Sequence, residues 1–146
     1  MIQLGERQKL VVVKTVDFGV YVAPAAGEAE EKVLLPKKQV PEGTKIGDEL
    51  EVFIYRDSND RLIATTNEAK LSLGEVALLK VSQVAAIGAF LDWGLEKDLF
   101  LPFREQTKQL KEGDECLVAL YIDKSDRLCA SMKVYTYLRT ESGYKK

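Results

Sequence analysis

Residues 17–22 read DFGVYV, and the same pattern returns 69 residues later as AIGAFL at residues 86–91. Further matches follow in the same order: LGE at 4–6 and 73–75, VLLP at 33–36 and LFLP at 99–102, and DSNDRL at 57–62 and DKSDRL at 123–128. The last two matches have an offset of 66, so the first copy carries three extra residues within 23–32. Because surface loops accept insertions at little cost, the chain is predicted to contain two tandem domains.

The pattern within each copy is strand-like. Segments such as 9–16 and 49–55 are rich in β-prone residues, and Gly-Asp and Asp-rich turn signals separate them. Five short strands fit a small barrel better than a sandwich, because closure removes the exposed edges of so small a sheet. We therefore predict an all-β protein with one five-stranded barrel at 1–68, a second at 69–132, and a basic tail or linker at 133–146.

The composition is that of a globular protein, with 46% hydrophobic and 30% charged residues. No apolar run approaches the ~20 residues that span a bilayer, and the N-terminus does not resemble a signal peptide, so we expect a cytoplasmic protein without membrane contact. Histidine is absent, which removes the commonest general base and metal ligand. The sequence predicts no metal, no cofactor and no catalytic residue, with Cys116 and Cys129 as small buried side chains.

The charge balance does not favour nucleic acid. The formal net charge is −2 and the pI is about 5.3, whereas a strongly basic chain would have indicated phosphate neutralisation. Any contact with phosphate must therefore come from local clusters of Lys and Arg. The negative balance also favours the alternative of a protein-interaction module.

The order of the motifs resembles the ribosomal S-one type of RNA-binding domain, which has an OB fold. In that type of domain, two aromatic residues on the second strand, a histidine after the third and an Asp–Arg pair near the last hairpin form the RNA face. Carried over to this sequence, the resemblance implies RNA-binding residues at Phe18, Tyr21, Asp57 and Arg61 in the first repeat, and at Phe90, Asp123 and Arg127 in the second.

The sequence departs from that pattern at three positions. Pro36 and Pro102 replace the histidine, and Ile87 replaces one aromatic of the second repeat. We therefore expect the first barrel to bind RNA better, and the second to bind weakly or to have a partly structural role.

Several motifs are similar in sequence to those of the bacterial conserved virulence factor B family, also called YitL-like proteins. The stretches DFGVY at 17–21, YRDSNDRLIATT at 55–66 and IGAFLDWGLEKDL at 87–99 carry this likeness. The resemblance implies that the protein is a post-transcriptional or virulence-type regulator. Members of that family usually continue into a further barrel and a winged-helix domain. By this resemblance we expect the chain to be a fragment of a longer protein or a short member of the family. The sequence does not indicate its oligomeric state.

Each candidate residue has a structural alternative. Phe18 and Tyr21 can stack on bases, each worth ~1–3 kcal/mol, or simply pack on the barrel. Lys37 and Lys38 follow the third strand, where a phosphate can pass, or they form a solvated turn. The Asp–Arg pairs can present an arginine to RNA or only stabilise their turns.

Three hypotheses from different classes follow. The leading one is a non-catalytic protein that binds single-stranded RNA by base stacking. The alternative is a protein-interaction module on the same scaffold, since a fold does not determine function. An enzyme is disfavoured, because the sequence has no nucleophile elbow, phosphate loop or metal-ligand spacing.

Overall fold

The computed structural model describes residues 2–25, 31–57 and 59–137 of the chain. The chain divides into two compact units, Met1–Glu68 and Ala69–Lys146. Each unit contains one closed barrel of five strands, so the prediction of an all-β protein with two tandem five-stranded barrels is confirmed. Parts of two predicted segments lie outside the described residues, namely 26–30 of the inserted loop and 138–146 of the basic tail.

The first barrel has the strand order β1-β2-β3-β5-β4, and β4 returns to pair with β1. Its strands are β1 (Arg7–Val16), β2 (Gly19–Ala23), β3 (Val33–Pro36), β4 (Glu49–Arg56) and β5 (Leu62–Thr65). Only β3 and β5 run parallel; the other neighbours are antiparallel. A bulge between Val12 and Lys14 bends β1, so that its first half pairs with β4 and its second half with β2.

The second barrel repeats this arrangement. Its strands are β6 (Val76–Ala85), β7 (Gly88–Asp92), β8 (Leu99–Pro102), β9 (Glu115–Ile122) and β10 (Leu128–Ser131), followed by a one-turn helix, α1 (Val134–Tyr137). The bulge recurs between Val81 and Gln83 of β6. The same order and the same bulge show that the internal sequence repeat is a structural repeat.

Alternation along the strands places aliphatic side chains inside each barrel. The core of the first barrel comprises Leu10, Val12, Val20, Val22, Val33, Leu35, Val52, Ile54 and Ala64. Its counterparts in the second barrel include the buried Leu79, Val81, Leu91, Leu101 and Leu120. Phe53 and Tyr55 alternate with the core residues of β4, yet they are also buried, so this strand is covered on both faces.

The described residues offer neither a membrane-spanning helix nor a metal-binding group. No helix there has the length and hydropathy needed to cross a membrane. Within the same residues, no three Cys, Asp or Glu side chains come together in a group that could hold a metal ion.

Gly19 and Gly88 hold equivalent positions, where β2 approaches β3 and β7 approaches β8. Their φ angles are +149° and +152°, which side chains rarely allow. A Cβ on Gly19 would collide with the carbonyl oxygen of Leu35, and one on Gly88 would lie 2.6 Å from that of Leu101. The repeated glycine of the two motifs is therefore required by the close approach of neighbouring backbones.

We expect Gly19→Ala to lower the free energy of unfolding by about 3 kcal/mol or more, because the collision adds to an unfavourable φ. Gly43→Ala is the matched control, since Gly43 also has a positive φ (+85°) but has open space around it, and it should cost only about 1–2 kcal/mol. Urea denaturation followed by circular dichroism measures both. Equal losses for the two variants would contradict the close approach.

Candidate nucleic-acid interface

A row of side chains crosses the outer face of the first barrel. Register pairs Tyr21 with Leu34, Leu34 with Ile63, and Ile63 with Tyr55. Directly paired residues point to the same face of a sheet. The residues that flank these four along the chain fill the core, so the four side chains lie on the outside of the barrel. Tyr21 and Leu34 remain partly exposed, whereas Tyr55 is buried, so the accessible surface lies at the β2–β3 end of the row.

Phe18 and Tyr21 are brought together at this end. Phe18 is 57% exposed at the β1–β2 turn, and its ring meets that of Tyr21 edge to face, with 6.5 Å between centroids and 85° between planes. The ammonium of Lys32 lies 5.5 Å from the centroid of the Tyr21 ring, within the range of a cation–π interaction. An exposed aromatic pair with an adjacent cation is suited to stacking on bases and to contacting their phosphates.

Lys37 and Lys38 lie beside the aromatic pair. They begin a 3₁₀ turn, Lys37–Gln39, directly after β3, and both are exposed. The backbone N–H of Lys37 donates to the carbonyl of Phe18 at 3.0 Å, and Pro36 pairs with Gly19. Pro36, which stands at the histidine position of the resemblance, therefore adjoins the aromatic site, but it offers no side-chain donor or acceptor.

Asp57 organises the β4–β5 hairpin. Its Oδ1 accepts hydrogen bonds from the backbone N–H groups of Asn59 and Arg61, at 2.9 and 3.0 Å, and its Oδ2 lies 3.4 Å from Nε of Arg61. Burial raises the pKa of Asp57, but the hydrogen bonds and the Arg61 charge outweigh it, so the pKa falls below its ordinary value of 3.8. Asp57 thus supports the turn, while the largely exposed Arg61 side chain is the group that can reach a ligand.

In the second barrel the corresponding row is more aromatic. Register pairs Phe90 with Phe100, Phe100 with Cys129, and Cys129 with Tyr121. The rings of Phe90 and Phe100 are 5.4 Å apart and tilted by 41°. Ile87, which takes the place of Phe18, is 64% exposed at the β6–β7 turn. The aromatic lost at that turn is thus matched by one gained on β8.

The second hairpin repeats the role of the first. Asp123 accepts hydrogen bonds from the backbone N–H groups of Ser125 and Arg127, and its Oδ2 lies 3.8 Å from Nε of Arg127. The thiol of Cys129 also donates to Oδ2, at 3.6 Å. The pKa of Asp123 is lowered, because the hydrogen bonds and the Arg127 charge outweigh the effect of its burial.

A groove of about 560 Å³ opens beside this hairpin. Aromatic walls come from Phe100 and Tyr121, and positive charge comes from Arg104, Lys124 and Arg127. Glu105 and Asp123 also line this groove, so its walls carry charges of both signs.

The structure separates the predicted site residues into two groups. The first group is the pair of Phe18 and Tyr21, with Lys37 and Lys38 in the adjoining 3₁₀ turn. The second is formed by the two hairpins, where Asp57 and Asp123 direct their oxygens inward and Arg61 and Arg127 are the exposed groups. Phe90 belongs to neither group and packs on Phe100. Sequence reasoning missed Lys32 and Phe100. The signal available for Phe100 was the alternation along β8, because Leu99 and Leu101 face the core and Phe100 is therefore outside. No local feature of the sequence predicted that Lys32 would lie over Tyr21.

Comparison with known proteins relates the chain to one family. A family model described as the S1 domain matches residues 4–67 and 73–133. The Bacillus subtilis protein YitL is 30% identical over 131 residues, which cover 89% of this chain and 40% of YitL. Conserved virulence factor B of Staphylococcus saprophyticus is 27% identical over 116 residues, covering 75% of this chain and 39% of that protein. The chain thus spans about two fifths of the length of these relatives.

A solved structure shares the fold. It is a multidomain protein with nucleic acid binding domains from Streptococcus pneumoniae, with a TM-score of 0.72 and 21% sequence identity. The match covers 95% of this chain and 47% of that one.

Asp57→Ala should lower the free energy of unfolding by about 1–2 kcal/mol at pH 7, because two backbone donors lose their acceptor. The lowered pKa means that the ionised carboxyl adds stability above pH 3.8, and that this part is lost as the pH falls through the folded-state pKa. The difference between the two proteins should therefore shrink as the pH falls below 3.8.

Urea denaturation at several pH values measures this difference. Glu42→Ala, which removes an exposed carboxyl from a loop, is the control and should show little effect at any pH. A loss for Asp57→Ala that stays constant down to about pH 3 would contradict the ionic contribution.

Both cysteines should resist thiol reagents in the folded protein. Burial, together with the nearby Asp123 carboxylate, raises the pKa of Cys129 to about 12, and burial raises that of Cys116. Because the thiolate is the reactive form, Ellman's reagent should label neither residue at pH 8 until denaturant is added. Rapid labelling of Cys129 in the native protein would show that the hairpin opens readily.

Proposed function

The chain belongs to the S1 domain family, and on this basis we propose that it is a nucleic-acid-binding protein whose first barrel holds single-stranded RNA by base stacking. The observation that carries the proposal is the edge-to-face pair of the exposed Phe18 and the half-buried Tyr21, flanked by Lys32 and Lys37. Aromatic faces accept any base, so binding of this kind needs little hydrogen-bond recognition.

The local charges support an RNA ligand even though the chain as a whole does not. Residues 1–68 carry nine Lys or Arg and twelve Asp or Glu, so general electrostatic attraction is absent. Four cations nevertheless flank the strands that carry the aromatic pair: Lys32 lies over Tyr21 and Arg61 precedes β5, at one end of β3, whereas Lys37 and Lys38 follow β3 at its other end. Stacking therefore provides most of the affinity, few phosphates are neutralised, and the dependence on salt is modest.

We propose a supporting role for the second barrel. Its groove is lined by aromatic and basic side chains that can bind one nucleotide of a longer strand, with Phe100 as the stacking ring and Arg127 near the phosphate. Phe90 supports Phe100 from outside the groove lining. Asp123 positions Arg127 instead of contacting the ligand itself. This division agrees with the loss of the exposed aromatic at Ile87.

The biological role we propose is regulation of RNA in the cytoplasm, without catalysis. The similarity to conserved virulence factor B supports a regulatory role of the virulence type, and the chemistry of the face supports binding alone. The alternative, a protein-interaction module, is favoured by one observation. Several outer positions that are polar in the first barrel are apolar and exposed in the second, such as Phe103 in place of Lys37.

Titration of a labelled single-stranded RNA of about 16 nucleotides tests the proposal, since one OB fold covers ~4–16. The double variant Phe18→Ala, Tyr21→Ala should bind at least about 30-fold more weakly, because it loses ~2 kcal/mol or more of stacking. Fluorescence anisotropy at low salt measures the affinity.

Tyr135→Ala is the matched control, because it removes an aromatic ring that is 67% exposed outside the proposed face. It should leave the binding curve unchanged. Superimposable curves for the wild type and the double variant would refute the assigned face. No binding by the wild type at low salt would instead favour the protein-interaction alternative.

A further inference from the structure

Two leucines lie side by side on the outer face of the second barrel. Leu78 of β6 and Leu117 of β9 are directly paired across antiparallel strands. They are 57% and 50% exposed, whereas their chain neighbours Leu79, Cys116 and Val118 are buried in the barrel. The pair is thus an apolar contact held on a rigid sheet, with half of each side chain exposed to water.

The barrel fold itself does not require these leucines. At the equivalent register of the first barrel, Lys9 of β1 pairs with Glu51 of β4, and both are exposed. The solvated face of an antiparallel sheet is usually polar, and oppositely charged cross-strand pairs stabilise it. The same structural position is therefore polar in one barrel and apolar in the other, which indicates that the leucines serve a contact outside the barrel.

The row next to the leucines carries charges of both signs. Lys80 of β6 is in register with Asp92 of β7 on one side and with Glu115 of β9 on the other. All three residues are exposed. A surface with this arrangement is complementary to itself, because the cation of one copy can meet a carboxylate of another while the leucines meet each other.

We propose that the leucine face, defined as Leu78, Lys80, Glu115 and Leu117, is a surface through which two copies of this chain associate about a two-fold axis. In such an isologous contact each patch meets an identical patch, so a single surface must supply both the apolar centre and both charge signs. The leucine face supplies all three. The Glu115 carboxylate, and the absence of an aromatic ring among these four residues, make it a poor surface for RNA.

The contact is expected to be weak. Stable interfaces bury about 800 Å² on each partner, and a pair of half-exposed leucines with a charged row forms only the centre of such an area. Association should therefore depend on concentration and appear between about 10 μM and about 1 mM. It is independent of the proposed RNA face on the first barrel.

Sedimentation equilibrium of the full chain tests the proposal. The weight-average mass should rise above the monomer mass of 16.3 kDa as the concentration increases. The double variant Leu78→Lys, Leu117→Glu installs the pair that the first barrel itself carries, so it should fold. It should remain at 16.3 kDa over the whole range. Circular dichroism and Trp93 fluorescence confirm that it is folded.

Two further variants make the test specific. Ile46→Lys changes a residue that is 64% exposed on the first barrel and should leave association unchanged. Lys80→Glu should weaken association, and adding Glu115→Lys should restore part of it, because the charges are exchanged. A wild type that stays monomeric, or a leucine variant that associates as well as the wild type, overturns the proposal. RNA binding by the leucine variant should equal that of the wild type, so the two proposals fail separately.

Discussion

Each barrel depends on one long strand that pairs with two partners. β1 pairs with β4 through its first half and with β2 through its second, and β6 does the same in the second barrel. The bulge after Val12 or Val81 bends the strand between its partners. At the bend, Val12 exchanges backbone hydrogen bonds with Asp48 and Gly47, and Val81 with Asp114 and Gly113. Without this bend the sheet would remain open.

Closure determines which side chains face outward, and therefore which chemistry each barrel presents. A barrel of five strands has room inside only for aliphatic side chains, so aromatic and charged residues in alternate positions must lie on the outside. In the first barrel this leaves Phe18 exposed beside the half-buried Tyr21, which lies under the ammonium of Lys32. In the second it brings Phe90 and Phe100 together beside a groove.

The two copies show how one scaffold supports different surfaces. Their cores, bulges and Asp–Arg hairpins agree closely, because these elements stabilise the barrel. Their outer faces differ at matched positions: Lys9 and Glu51 give way to Leu78 and Leu117, and Phe18 gives way to Ile87. The proposed roles follow from these substitutions, with RNA on the first barrel and self-association on the second.

Local features of the sequence were sufficient to predict the two repeats, the all-β barrels and the Asp–Arg hairpins, because alternation and turn chemistry are local properties of the chain. The aromatics directly before and two residues after Gly19, Phe18 and Tyr21, were also indicated as candidate stacking residues by the family resemblance of the motif. Only the tertiary structure decided that Phe100 meets Phe90 and that Leu78 lies opposite Leu117. Such contacts depend on the register between strands that are distant in sequence, and that register is set by closure of the whole barrel.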